Sequence, residues 1–288
     1  MREETTTSVD ERRVNRSLVV VVVGLVIAAV AALRQNVTGT PGMIAAAALL
    51  PPAGFAAVVL LLARRESVPF LPSLTALAWG ATVAPLGTLA FNDAALDMLP
   101  RGLVTTVMGP LAEEIAKAAA LVVITLVWPA ALRGMRAGIV YGALAGLGFA
   151  ATENLGYYTL AAVQGGTPGL ARALYLRGLL EGLNHAAFTA IIGAAAGFAR
   201  LPTAPRRGRV AALVAGFAIA VAVHGTWNAV ASEAITTLLC NAPAEGAACT
   251  PTPRLLDLLV SVPVLVASFI GPVAAGLIVL ALRERRVR

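Results

Sequence analysis

Eight apolar segments decide what this chain can fold into, because each approaches or exceeds the length of a bilayer crossing. The segments are 18–33, 42–63, 72–91, 103–128, 137–163, 174–199, 209–236 and 255–282. Backbone N–H and C=O groups find no water in hydrocarbon, so a run of about 20 apolar residues crosses a membrane as an α-helix. The sequence therefore predicts an all-α, polytopic transmembrane helical bundle of about eight spans, with a single membrane domain over residues 18–282.

Basic residues are shared unevenly between the two sets of loops that alternate along these spans. Sixteen of the 22 lie in the tails and in the loops after the second, fourth and sixth spans. Five, among them Arg177, lie on the other side, and Lys117 lies inside the fourth span. Because loops rich in arginine and lysine stay in the cytoplasm, we expect both termini there, as tails 1–17 and 283–288. The net charge of +7 then needs no nucleic-acid partner.

Two further features of composition bear on where the protein acts. All basic residues except Lys117 are arginine, which indicates a high-GC bacterium and hence its plasma membrane. The two cysteines, Cys240 and Cys249, fall in the loop between the seventh and eighth spans. In the predicted topology that loop lies outside the cell, where a disulfide persists. Two free thiols fit the sequence equally well.

Ionisable residues deep in four spans are the strongest functional signal, because charges at membrane depth are costly and mark functional sites. In chain order they are Glu113 with Glu114 and Lys117, then Glu153, His185 and His224. At a rise of 1.5 Å per residue, one such residue from each span lies at about the same depth. We therefore predict one polar site in the outer half of the membrane or near its middle, within a catalytic core over about 103–236.

Helical spacing separates the roles within this group. Glu113 and Glu114 lie about one turn before Lys117, so the lysine can pair with either carboxylate. Adjacent helical residues point about 100° apart. We therefore expect one of the two glutamates to face the site while the other faces a neighbouring helix or the lysine. Asn228 lies one turn after His224 and shares its face of the helix.

Hydrolysis of a peptide bond is a reaction that these groups suit, because it needs a general base, a water and a donor to the oxyanion. A glutamate can be the base, and His224 with Asn228 can polarise the carbonyl. Alternatively, Glu153, His185 and His224 hold a divalent metal such as Zn, with Glu113 or Glu114 as the base and a fourth position left for water. The sequence has no H-E-x-x-H motif, so a metal-free glutamate mechanism is an equal alternative.

A proton-coupled transporter or channel is the main competing function, since carboxylate and histidine relays also lie at membrane depth. Such folds often contain internal repeats, and none is visible in this sequence. A non-catalytic scaffold or immunity factor is a third class. Single residues also allow structural interpretations: Glu114 with Lys117 as a buried ion pair alone, and His185 as a histidine bonded to Glu181 or Thr189 one turn away.

Four motifs in separate spans carry a family resemblance. They are Glu113-Glu-Ile-Ala-Lys117, Phe149-Ala-Ala-Thr-Glu-Asn154 with Tyr157 after it, His185, and His224-Gly-Thr-Trp-Asn228. From about residue 105 to 232 the chain resembles the PrsW family of intramembrane proteases, within the superfamily of CAAX prenyl endopeptidases and bacteriocin-immunity proteins. CAAX-type enzymes typically have histidine in place of Glu153 and arginine one position after Lys117, which favours the PrsW branch.

The resemblance implies a glutamate-activated water, with Glu113 as the base and His224 with Asn228 as the oxyanion or water-positioning pair. It also implies a substrate cut on the outer side of the membrane, as in site-one cleavage of an anti-sigma factor. The family is described as metallopeptidases, whereas its CAAX relatives are argued to work without metal. We therefore expect an intramembrane endopeptidase whose partners are a membrane-anchored protein or peptide and the lipid bilayer.

Overall fold

The computed structural model describes residues 41–63, 68–231 and 257–287. Within these ranges the chain is helical with short connections and contains no strand. This confirms the predicted all-α class. The first predicted span, 18–33, and the loop that carries Cys240 and Cys249 lie outside the described residues.

Eight longer helices occupy the described ranges, and we number them in chain order. They are α1 (Pro41–Leu62), α2 (Phe70–Ala81), α3 (Val83–Met98), α4 (Gly109–Val127), α5 (Met135–Ala173), α6 (Asn184–Ala199), α7 (Arg206–Thr226) and α8 (Val262–Val287). Four π-helical segments adjoin them: Val104–Met108, Leu174–Leu180, Trp227–Ala231 and Asp257–Ser261. Such segments are frequent at functional sites, and the first three border the cavity described below.

Five helical stretches of the described ranges are long and apolar enough to cross a membrane. They are Gly42–Leu62, Phe70–Met98, Met135–Ala199, Arg206–Val230 and Leu259–Glu284. The third of them has 65 residues and contains both the fifth and the sixth predicted spans. Helix α4, which corresponds to the fourth predicted span, is not among the five because its 19 residues include two glutamates and a lysine.

The predicted third and sixth spans are broken in the structure. The third, 72–91, consists of α2 and α3, which meet at Thr82 in a non-helical conformation (φ −129°, ψ −65°). The sixth, 174–199, begins as the π-helical segment Leu174–Leu180 and turns before α6 starts at Asn184. Hydrophobicity alone does not show these breaks, because the residues on both sides of each are equally apolar.

Helix α5 ends its straight part at Gly166, which has φ 60° and ψ −151°. This backbone conformation is open to glycine and strained for residues with a Cβ. The chain bends there and leads through Pro168 into the π-helical segment that precedes α6. The bend lies close to the predicted end of the fifth span at residue 163.

Glycines on α5 bring its backbone into direct contact with two neighbouring helices. A Cβ on Gly138, Gly142 or Gly146 would overlap the backbone of α6 at Gly193, Thr189 and His185, respectively. On another face, a Cβ on Gly148 would overlap the carbonyl of Leu77 in α2. Small residues permit this close approach between membrane helices. The contact fixes the register of α6 on α5, and with it the position of His185.

The interior is built mainly from alanine and leucine, and much of the outer surface is apolar as well. Leu121 and Ile124 of α4 pack with Leu144 and Leu147 of α5 in the main buried cluster. Large apolar side chains are also exposed on the outside, with Leu126 76% accessible. An apolar exterior around a packed core is the arrangement that a bilayer requires, because lipid tails replace water there.

Candidate active site

Lys117 is fully buried and is surrounded by the polar groups that make its burial tolerable. Its Nζ lies 2.6 Å from Glu114 Oε1 and 3.6 Å from Glu113 Oε2. It also donates to His185 Nδ1 at 3.1 Å and lies 4.4 Å from the centre of the Phe149 ring. A lysine in a membrane helix thus joins α4 to α5 and α6.

The two adjacent glutamates of α4 have different surroundings. Glu114 is completely buried; its Oε1 pairs with Lys117 and His224, and its Oε2 accepts a hydrogen bond from Thr189 Oγ1 at 2.9 Å. Glu113 lines a cavity, and its Oε2 has no hydrogen-bond partner although it is buried. The geometry agrees with the prediction that the two carboxylates face different ways, with Glu113 on the side of the cavity.

The two histidines differ in whether a ring nitrogen is free. Lys117 can only donate, so Nδ1 of His185 accepts and Nε2 donates to Glu153 Oε2 at 2.9 Å. Nδ1 of His224 lies 3.0 Å from Glu114 Oε1 and donates to that carboxylate. Nε2 of His224 therefore has a free lone pair, and it lies 3.7 Å from Glu113 Oε2.

Glu153 is held by Arg177, a residue that sequence analysis had placed with the loop charges. Arg177 Nη2 lies 2.5 Å from Glu153 Oε2, and its Nε donates to Asn154 Oδ1 at 3.2 Å. Its guanidinium lies 3.7 Å from the centre of the Tyr157 ring and 4.0 Å from Glu181 Oε2. The one available signal was the spacing of Arg177 and Glu181 by one helical turn.

A cavity of about 310 Å³ opens between these helices. Among the predicted site residues, those that line it are Glu113, Glu153, His185, His224 and Asn228. Glu114 lies behind them, in contact with His224. The amide of Asn228 donates to the backbone oxygen of Thr105 at 3.0 Å, which ties the end of α7 to the π-helical segment before α4. The structure thus brings all six predicted residues to one place.

Glu113, His185 and His224 each offer one ligand atom, and these atoms lie within 4.8 Å of one another. This candidate metal group differs from the predicted set in its carboxylate, because Glu153 is paired with Arg177 while Glu113 Oε2 is free. Four glutamates against one lysine and one arginine also leave two negative charges around the cavity when the histidines are neutral. Both observations suit a divalent cation.

Carboxylates and imidazoles that meet in a cavity among apolar membrane helices are the groups that a membrane-embedded hydrolytic site needs. The family model described as PrsW family intramembrane metalloprotease matches residues 68–268. This match covers more than half of the chain, and the chain belongs to the PrsW family. No curated protein and no solved structure gives a significant match.

Membership of this family makes the chain an enzyme, a protease that is integral to a membrane and acts on a membrane protein substrate. The matched region begins before α2 and ends within α8. It therefore includes every residue that lines the cavity. The catalytic roles of the individual site residues stay predictions.

Proposed function

We propose that the chain hydrolyses a peptide bond of a membrane-anchored protein inside this cavity, with Glu113 as the general base. The observation that carries the proposal is the state of Glu113, a residue that lines the cavity and whose buried Oε2 has no hydrogen-bond partner. A general base must reach the proton of the attacking water. Among the four glutamates of the site, only Glu113 has a buried side-chain oxygen without a hydrogen-bond partner. Glu114 and Glu153 contact Lys117, Arg177 or a histidine at 2.5–3.0 Å.

The neighbouring groups then have supporting roles. Glu114 fixes the ring of His224 through Nδ1 and directs Nε2 toward Glu113. His224 and Asn228 border the space where a substrate carbonyl would lie, so that they stabilise the oxyanion that develops there. Glu153 and Lys117 hold His185 from both sides. Fixed polar groups of this kind act without reorganising during the reaction.

An alternative role for Glu113 is that of a metal ligand, with His185 and His224, for a divalent ion such as zinc. His185 would join this set by giving up its contact with Lys117 or with Glu153. Zinc takes carboxylate oxygen and imidazole nitrogen at about 2.0–2.2 Å, and the free Glu113 Oε2 and His224 Nε2 lie 3.7 Å apart. When bound, such an ion supplies Lewis acidity toward water and the substrate carbonyl. Glu114 beside His224 is the kind of carboxylate that orients a ligating histidine.

Metal analysis of the purified protein separates the two candidate ligand sets and the metal-free mechanism. A divalent metal that is lost on Glu113→Ala or His224→Ala and retained on Glu153→Ala would make Glu113 a ligand instead of the base. Loss on Glu153→Ala with retention on Glu113→Ala would restore the set predicted from sequence. Protein that cleaves with no bound metal would assign the reaction to the glutamate alone.

The side of the membrane on which the substrate is cut follows from the predicted topology. With eight spans and both termini in the cytoplasm, the cavity faces the outer half of a bacterial plasma membrane, and residues 18–282 form one membrane domain. A protein anchored by one span and cut near its outer end fits that position. We propose site-one cleavage of an anti-sigma factor in a high-GC bacterium, on the strength of the four motifs.

The experiment that tests the function compares membrane proteins of cells carrying the wild type, Glu113→Gln or Glu114→Gln. We expect cleavage fragments with the wild type that are absent with Glu113→Gln, although this variant accumulates normally in the membrane. Glu114→Gln should lower the amount of folded protein, since it weakens contacts with Lys117, His224 and Thr189. Identical fragments from the wild type and Glu113→Gln would contradict the assignment.

A further inference from the structure

Asn184 offers an unused amide to the cavity beside the proposed base. It is 3% exposed, and neither its Nδ2 nor its Oδ1 has a hydrogen-bond partner in the protein. Buried polar atoms without partners are uncommon and each one is costly. Asn184 begins α6 next to His185, and both residues line the cavity. The wall of the cavity therefore contains a donor and an acceptor that the protein itself does not use.

Two more amide atoms join it from other helices. Asn154 of α5 is 2% exposed, and its Oδ1 accepts from Arg177 Nε, which can only donate. This fixes the amide orientation and leaves Nδ2 without a partner. Asn92 of α3 adds a buried Oδ1 that also lacks a partner. Asparagines of three helices that line one cavity thus hold two donors and two acceptors without partners.

A protease inside a membrane must unwind the substrate helix, because helical hydrogen bonds occupy the peptide groups that are to be attacked. Unwinding exposes N–H and C=O groups where no bulk water can satisfy them, and each unsatisfied group is costly. An asparagine side chain has the same donor and acceptor as a peptide group. It can replace the hydrogen bonds that the unwound segment loses.

We propose that Asn184, assisted by Asn154 and Asn92, binds the main chain of an unwound substrate segment. The inference rests on the proposed proteolytic function and adds the manner of substrate recognition. Binding through the main chain does not depend on which side chains the substrate carries. The substrate class is therefore a membrane span that unwinds readily, such as one with glycine or proline near the cleavage site, since these residues weaken helices.

The decisive variant is Asn184→Leu, which keeps a similar volume and removes the amide. Because both amide atoms lack partners in the protein, the melting temperature should stay equal to that of the wild type or rise. Release of the Glu113-dependent fragments should fall by about tenfold or more, as expected for the loss of a binding interaction of about 1.4 kcal/mol. The control Thr189→Val removes a hydroxyl that donates to Glu114, and it should lower the melting temperature.

A variant of the substrate distinguishes the loss of substrate binding from a general loss of enzyme structure. Two glycines placed beside the cleavage site lower the cost of unwinding, so they should restore part of the rate of Asn184→Leu. A lowered melting temperature of Asn184→Leu, or fragment release at the wild-type rate, would overturn the proposal. Fragments that do not depend on Glu113 would instead overturn the proposed role of Glu113 as the base, a result visible before any Asn184 variant is made.

Discussion

At the scale of single residues, the adjacent Glu113 and Glu114 of α4 have different surroundings: Glu113 lines the cavity, and Glu114 is buried among polar partners. The 100° between neighbouring positions predicts that they face different ways, and the structure agrees. What spacing could not predict is that Glu114 contacts Thr189 and His224, residues far away in the chain. Those contacts depend on how α6 and α7 pack against α4.

Lys117 should contribute strongly to stability because it neutralises carboxylates that are buried with it. Lys117→Met leaves Glu114 without its cation, and breaking a buried ion pair from one side costs about 3–5 kcal/mol. We expect a large fall in the melting temperature of the detergent-purified protein. Adding Glu114→Gln to Lys117→Met should restore part of the loss. An unchanged melting temperature for Lys117→Met would show that the ion pair contributes nothing.

Arg177 marks the limit of residue-scale prediction. Its position near the start of an apolar segment led to its count as a loop charge. In the structure the preceding bend at Gly166 and the π-helical segment turn its side chain toward Glu153 and Asn154. A count of loop charges uses only the position of each residue in the sequence. It therefore cannot identify an arginine whose side chain turns into the protein.

At the scale of helices, the contact between α5 and α6 positions the polar residues that line the cavity. The outer limits of the fifth and sixth predicted spans, 137 and 199, lie close to those of the helical stretch Met135–Ala199, since apolar length is a strong signal. The sequence did not predict the breaks within the third and sixth spans, because those depend on backbone geometry at Thr82 and at residues 181–183. The glycines on α5 were visible, but the helix that each one faces was not.

Two glycines of α5 provide a matched test of this contact. A Cβ on Gly142 would overlap the carbonyl of Thr189, whereas Gly156 has open space around its Cβ position. Gly142→Ala should destabilise the protein by about 1–3 kcal/mol through overpacking. Gly156→Ala should be neutral or stabilise it by up to about 1 kcal/mol. Thermal unfolding of the two variants measures the difference, and equal melting temperatures would contradict the close contact.

At the scale of the whole molecule, the proposed topology places the cavity toward the outside of the cell. The apolar surface and the five candidate spans support a membrane-embedded bundle. Which end faces the cytoplasm rests on the distribution of arginines. The orientation can be predicted from this distribution because basic loops stay on the cytoplasmic side during membrane insertion.

Cysteine labelling in whole cells tests the orientation. In a chain with Cys240→Ser and Cys249→Ser, Leu96→Cys borders the cavity, and Thr203→Cys lies in the exposed turn between α6 and α7. A membrane-impermeant maleimide should label the first in intact cells, and the second only after the cells are opened. The reverse pattern would invert the topology and place the cavity on the cytoplasmic side.

The central claim is that Glu113 is the base of an intramembrane protease, and a rate measurement on reconstituted protein tests it most directly. Purified wild type and Glu113→Gln in liposomes would be given the membrane protein whose fragments depend on Glu113 in cells. We expect the variant to keep the wild-type melting temperature and to cleave at least about 100-fold more slowly, the usual contribution of a general base. Cleavage within a few-fold of the wild-type rate would contradict the claim.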